Sequence, residues 1–241
     1  MNIHDLALFA LLVVAALTLV QSIFGVGLLV FGTPTLLLAG FEFDRALALL
    51  LPASMCVSAA QLYVPELKRA ARWRYLGWSV PFMIAGLVCV LGFDWQPNMR
   101  KVVGLMLLAT AMIRLQPVLH ARTRDLLVRH QRFYLAAMGA VHGVSNMGGG
   151  LLTILANSLH EEKRTARVNI ALVYFVFAVS QLAVLAALRP AVFDCWTLAS
   201  GLVALAVYAL IGNRIFELAS NRLYQTLISV LLLVYGSVLM L

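Results

Sequence analysis

Charge is scarce in this chain. Asp, Glu, Lys and Arg make up 12% of its residues, about half the share of roughly a quarter found in soluble domains, while 63% are hydrophobic and the mean hydropathy is +0.94. That balance excludes a water-soluble globular protein and implies one integral membrane domain. Cysteine is nearly absent too: Cys56, Cys89 and Cys195 are isolated, odd in number and never in CxxC spacing. Their pattern excludes a metal or dithiol centre and leaves them as small core residues; no cofactor is expected. Acidic side chains are missing from the interior of the apolar runs, since Asp5, Glu42, Asp44, Glu66, Asp94, Asp125, Glu161, Glu162, Asp194 and Glu217 all stand at run ends or in links. Cation carriers usually keep a carboxylate within the membrane, so a cation substrate is disfavoured. The opening MNIHD has no basic stretch and no clear cleavage site follows, so a removable leader is not expected.

What is present is a series of apolar runs, at about 6–40, 46–64, 76–93, 102–119, 133–159, 168–188, 192–211 and 223–241. Most match the roughly 20 residues that cross a hydrocarbon core as a helix. Trp73, Trp78, Trp95 and Trp196 fall near run ends, where amphipathic rings favour the headgroup layer. The formal charge of +8 is spread between runs instead of gathered in one patch, so it reads as a topology signal and not as a nucleic-acid surface. The longest polar link, RLQPVLHARTRDLLVRHQR, is too short for a core of its own and is expected to form a basic surface helix. Arg114, at its start, is expected to snorkel to the headgroups.

The halves repeat. Gly27 and Gly148 are 121 positions apart, and Gln61-Leu62 and Gln181-Leu182 are 120 apart. The expected division is a repeat at 1–120 and another at 121–241, each a Gly-interrupted run followed by three ordinary ones. Were all eight runs to cross, Lys and Arg would divide almost evenly between the two sides. If each Gly-interrupted run is a re-entrant hairpin of two half-helices, the repeats become inverted and about 14 of the 18 Lys and Arg lie inside, with Arg45, Arg100, Lys101 and Arg189 outside. The positive-inside rule favours the second arrangement. The expected fold is therefore all-α and polytopic, with two inverted four-segment repeats; eight full spans are the alternative.

Backbone that leaves helical geometry at membrane depth survives only where protein or a water-filled cavity satisfies it. The glycines Gly25, Gly27, Gly148, Gly149 and Gly150 thus mark either a cavity or merely close helix packing. Half-helices starting near Leu28 and Leu151 would aim N-termini, with unpaired N–H groups and a positive dipole end, at mid-membrane, and such a terminus is an anion site. Gln21, Ser22, His142, Ser145 and Asn146 beside the turns could add neutral hydrogen bonds; Ser54, Ser58 and Gln61 in one half and Asn169, Tyr174, Ser180 and Gln181 in the other, on the helices that follow, could complete the lining. His142 is the histidine deep in a run. It could carry a proton with an anion or act as a neutral hydrogen-bonding group. Within HGVSN a serine hydrolase site is disfavoured, because GxSxG would need glycine at Met147; the chain is not expected to be an enzyme.

GVGLLVFGTPTLLLAG and GVSNMGGGLLTIL resemble the paired signature of the TauE/SafE family, the TSUP permeases, in which a GxGGG-like segment followed by a proline opens each half. Gly27 and Pro34 match the first copy, although Gly-Leu-Leu replaces the triple glycine; Gly148, Gly149 and Gly150 match the second, with Leu155 in place of the proline. The resemblance implies export of small sulfur-containing anions such as sulfite or sulfonates by a multi-pass protein of a bacterial inner membrane. The expected partners are a small anionic substrate and the lipid bilayer, with no nucleic acid. A passive anion channel and a membrane scaffold without transport are the alternatives.

Overall fold

A computed structural model describes residues 3–62, 70–92, 98–159, 162–218 and 221–241. Glu66, Lys68, Asp94, Trp95, His160 and Glu161 lie outside the described residues, as does the Trp73 side chain. The described residues are helical, with no strand. The helices are α1 (Ile3–Phe24), α2 (Leu28–Leu38), α3 (Phe43–Gln61), α4 (Ala70–Gly92), α5 (Met99–Leu115), α6 (Pro117–Arg129), α7 (Gln131–Ser145), α8 (Gly149–Leu159), α9 (Lys163–Leu188), α10 (Cys195–Val207), α11 (Asn213–Leu218) and α12 (Asn221–Met240), with a π-helical turn at Tyr208–Gly212 joining α10 to α11. Five stretches are long and apolar enough to cross a membrane: Asp5–Phe24, Phe43–Gln61, Tyr75–Gly92, Arg164–Leu188 and Cys195–Gly212. Leu198, Leu202 and Leu210 on the α10 side expose 69–73% of their surface, as expected of a lipid-facing wall.

The two Gly-interrupted runs are each broken once. Gly32 lies against the Leu17 side chain, although fifteen residues of unbroken helix would separate them by roughly 22 Å. Likewise the Tyr134 hydroxyl donates to the Leu151 carbonyl at 2.7 Å, across what would be roughly 25 Å of straight helix. Both segments therefore fold back as helical hairpins. The arms differ in length. α1 has 22 residues, about 33 Å, enough to cross alone, whereas α2 and α8 have 11 each, about half a bilayer.

The contacts between helices come in pairs. α4 packs on α7 and α10 on α1; α4 meets α9 and α10 meets α3; α3 packs on α9, α5 on α12 and α2 on α8. The link helix α6 begins at Pro117, whose ring disfavours helical backbone at Gln116 and so ends α5 at Leu115, and it contains the position-120 boundary.

Two expectations change. Cys89 and Cys195 are exposed, on outward helix faces and not in the core, and Cys56 is half-buried with its sulfur beside Gly201 of α10. Arg114 does not snorkel: its guanidinium donates to Thr153 Oγ1 on α8 at 3.2 Å and to Ser229 Oγ on α12 at 3.5 Å, since hydroxyl acceptors on the neighbouring helices lie within its reach.

At one end of the bundle Arg45, in the first turn of α3, pairs with Asp194, the N-cap of α10. Partial burial alone would raise the Asp194 carboxyl; Arg45 and the Thr197 and Trp196 backbone N–H groups hold it below its ordinary value. A lowered folded-state pKa means stability that is present above the unfolded value of about 4 and lost as pH falls through the folded one. In detergent, wild-type thermal stability should therefore drop more between pH 7 and pH 3 than that of Asp194→Asn; equal drops would show that the pair contributes nothing.

Candidate functional site

The turns of the two hairpins use the same backbone device at matching positions. Gly25 and Asn146, 121 positions apart, both adopt the left-handed region, with φ 71° and 63°. The Gly25 N–H donates to the Gln21 carbonyl at 2.8 Å and the Asn146 N–H to the His142 carbonyl at 2.7 Å. Glycine enters that region without steric cost, and asparagine is among the few other residues that tolerate it. A polar side chain is thereby placed at the second tip, and it reaches across: Asn146 Nδ2 donates to Thr33 Oγ1 of α2 at 2.9 Å.

Around the first tip most of the polar groups satisfy one another, although Gln61 Oε1 lacks a partner. The Gln21 carboxamide oxygen accepts from the Leu28 N–H at 3.3 Å, the first helical N–H of α2. Its nitrogen donates to Ser58 Oγ at 3.2 Å and to Ser54 Oγ and the Ser54 carbonyl at 3.3 Å. Gln61 Nε2 donates to the Gln21 carbonyl at 3.0 Å. The Ser22 hydroxyl donates to the Thr18 carbonyl, and the Ser22 carbonyl accepts from Arg167 Nη1 at 3.1 Å. Arg167 lies over the Phe216 ring, 3.4 Å from its centroid, beside Gly25. The π-helical turn brings Gly212 against Ser22. Asn169, half-buried on α9 at this level, donates to the Thr165 carbonyl at 2.9 Å.

The second tip is built from the same positions and is not satisfied in the same way. His142 stands 121 positions after Gln21 and Gln181 120 after Gln61. Both are wholly buried. His142 stacks 4.7 Å from the Phe177 ring and 5.7 Å from that of Tyr174. The Gln181 amide lies beside the imidazole, but neither ring nitrogen and neither amide atom has a partner in hydrogen-bonding geometry; Asn146 Oδ1 also lacks one. Leaving a buried polar atom unsatisfied costs about 1–3 kcal/mol, so this cluster holds capacity for a ligand or water. Gly149 opens α8 there so tightly that a Cβ would stand 1.9 Å from the Tyr174 hydroxyl and 2.6 Å from Val30 Cγ2. Gly148 backs onto His142, and Gly150 onto Thr110 of α5. Ser145 turns away, donating to the Val141 carbonyl at 2.7 Å and accepting from the Met147 N–H at 3.3 Å.

The residues singled out in the sequence thus fall into two clusters. On α9, Arg167 and Asn169 mark the level of the first tip, and Tyr174 to Gln181 the level of the second. The span is two to four helical turns, roughly 10–20 Å. Gln21, Ser22, Gly25, Gly27 and Gln61 lie at the first; His142, Ser145, Asn146, Gly148, Gly149, Gly150 and Gln181 at the second. The sequence reading missed four residues. Arg167 was counted among link charges, yet it is the single charged side chain among the buried polar residues described. Thr33 had no distinguishing neighbour. Gly139 and Gly143 form a small-xxx-small pair, a spacing that marks close helix approach in membranes. Among the described residues no group of three His, Cys, Asp or Glu side chains converges to hold a metal.

A family model described as "Sulfite exporter TauE/SafE" matches residues 9–239, and the chain belongs to that family. Comparison with curated proteins and with solved structures gives no match.

Proposed function

We propose that this TauE/SafE family protein is a secondary carrier that exports small anions, sulfite or sulfonates, across a bacterial inner membrane. The observation that carries the reading is the buried second-tip cluster, where His142, Gln181 and Asn146 Oδ1 keep unfilled hydrogen-bonding capacity beside the glycine N-terminus of α8. Neutral donors and a helix N-terminus suit an oxyanion, and the absence of any buried carboxylate among the described residues agrees in sign. Residues 1–120 and 121–241 act as two inverted repeats, with α6 as the link; the exchanged helix pairings support this, and so does the excess of Lys and Arg on one side. Alternating access then follows from rocking one repeat against the other around the site. The tight seat of Gly149 against Tyr174 fits a gated carrier better than an open channel.

Sulfite or a small sulfonate should raise the melting temperature of the purified protein and show saturable counterflow in proteoliposomes; absence of both would sink the proposal. The imidazole is the group in the cluster whose chemistry allows a proton to be taken up and released. If a proton moves with the anion, His142→Gln should keep the thermal shift at pH 7 while flattening the pH profile of flux. An unaltered profile would assign His142 a neutral hydrogen-bonding role.

A further inference from the structure

The two halves place different side chains at one architectural position. In the second, neither His142 nitrogen reaches the start of α8 or any other partner in hydrogen-bonding geometry, and the imidazole lies beside the Gln181 amide. In the first, Gln21 bends over the start of α2: its carboxamide oxygen takes the Leu28 N–H at 3.3 Å, the donor that a bound oxyanion would otherwise take. The carboxamide nitrogen is held in turn by Ser54 and Ser58 of α3, and Gln61, the counterpart of Gln181, is committed to the Gln21 carbonyl. A primary amide has one acceptor oxygen and two N–H donors; in Gln21 every one of those functions is engaged on protein, whereas Gln61 keeps its Oε1 unpartnered. All four side chains are buried to within 1% exposure.

From this difference we infer that the Gln21 carboxamide is a built-in occupant of the first hairpin's anion position, so that the chain binds a single anion, at the second hairpin alone. The inference rests on the carrier reading above. Its consequence is that the halves are unequal in function: the first hairpin has its helix start closed by its own Gln21 side chain, and the second does the exchanging. The pairing also explains why the glycine triplet survives only at Gly148–Gly150 while the first copy carries Leu28 and Leu29. A hairpin whose helix start is covered by its own side chain has no ligand to admit, and bulkier residues are tolerated there.

The test is equilibrium dialysis of radiolabelled sulfite against the purified, full-length protein. Wild type should bind one equivalent per chain. Gln181→Leu should weaken that binding about tenfold or more, the effect of deleting one buried polar partner. Gln21→Ala should keep one high-affinity equivalent within about threefold of wild type, while melting at a lower temperature because the α2 start loses its acceptor. Ser54→Ala with Ser58→Ala supplies a milder version should Gln21→Ala fail to fold. Two high-affinity equivalents in wild type would overturn the inference and leave the carrier reading standing. Loss of binding in folded Gln21→Ala with retention in Gln181→Leu would do the same. No binding by wild type would remove both.

Discussion

Gly143→Ala is expected to lower stability by about 3 kcal/mol, the upper end of overpacking penalties, and to sharply reduce the folded yield. A Cβ at Gly143 would stand 2.1 Å from the Met83 carbonyl oxygen of α4, and one at Gly139 2.1 Å from the Ser79 carbonyl oxygen. Those obstacles are backbone and cannot rotate aside. The two glycines are one turn apart on one face of α7 and let α4 come to backbone contact, which in a bilayer is a principal source of helix association, since lipid tails offer no hydrophobic drive between helices. Gly77→Ala, on the same α4 but with nothing within 4 Å of its Cβ, serves as the control and should be near neutral. Thermal unfolding in detergent checks both; a Gly143→Ala protein as stable as Gly77→Ala would mean that the α4–α7 contact is looser than described.

Gly149→Leu is expected to abolish transport while leaving membrane insertion intact. Even alanine would bring its Cβ to 1.9 Å from the Tyr174 hydroxyl, so Gly149→Ala should cut flux about tenfold or more by displacing either α8 or the tyrosine from the site. The Tyr174→Phe change deletes the offending oxygen; the remaining neighbours are the ring carbon Cζ at 3.1 Å and Val30 Cγ2 at 2.6 Å, the latter the end of a side chain that can turn. Gly149→Ala with Tyr174→Phe should therefore recover part of the flux lost by Gly149→Ala, measured against Tyr174→Phe alone. Flux in Gly149→Leu equal to wild type would contradict the placement of the site at the start of α8.

The breaks and the membrane character were legible in sequence because each has a local cause. Glycine inside an apolar run weakens a helix wherever it stands, and Pro117 stops α5 by its own geometry. What was not legible depends on partners far along the chain. Gln21 and Gln181 look alike in sequence, two carboxamides in apolar surroundings; that one is saturated and the other is not follows from Ser54 and Ser58 facing Gln21 from α3, while the aromatic rings of Tyr174 and Phe177 flank His142, next to Gln181. Arg167 read as a link charge because its run begins close by; α9 starts already at Lys163, which carries Arg167 one turn inside. The two-cluster arrangement was likewise hidden. The length of α1 sets how far the first tip reaches, and a 22-residue arm takes it past the level of the second.

Asn146 serves two purposes at once. Its backbone makes the left-handed turn, and its amide fastens the second hairpin to Thr33 of the first. A neutral hydrogen bond of this kind is worth about 1 kcal/mol net, less than twice the thermal energy. A clasp of that strength can be undone and remade many times in every working cycle, and it lets the closed arrangement be favoured without being trapped.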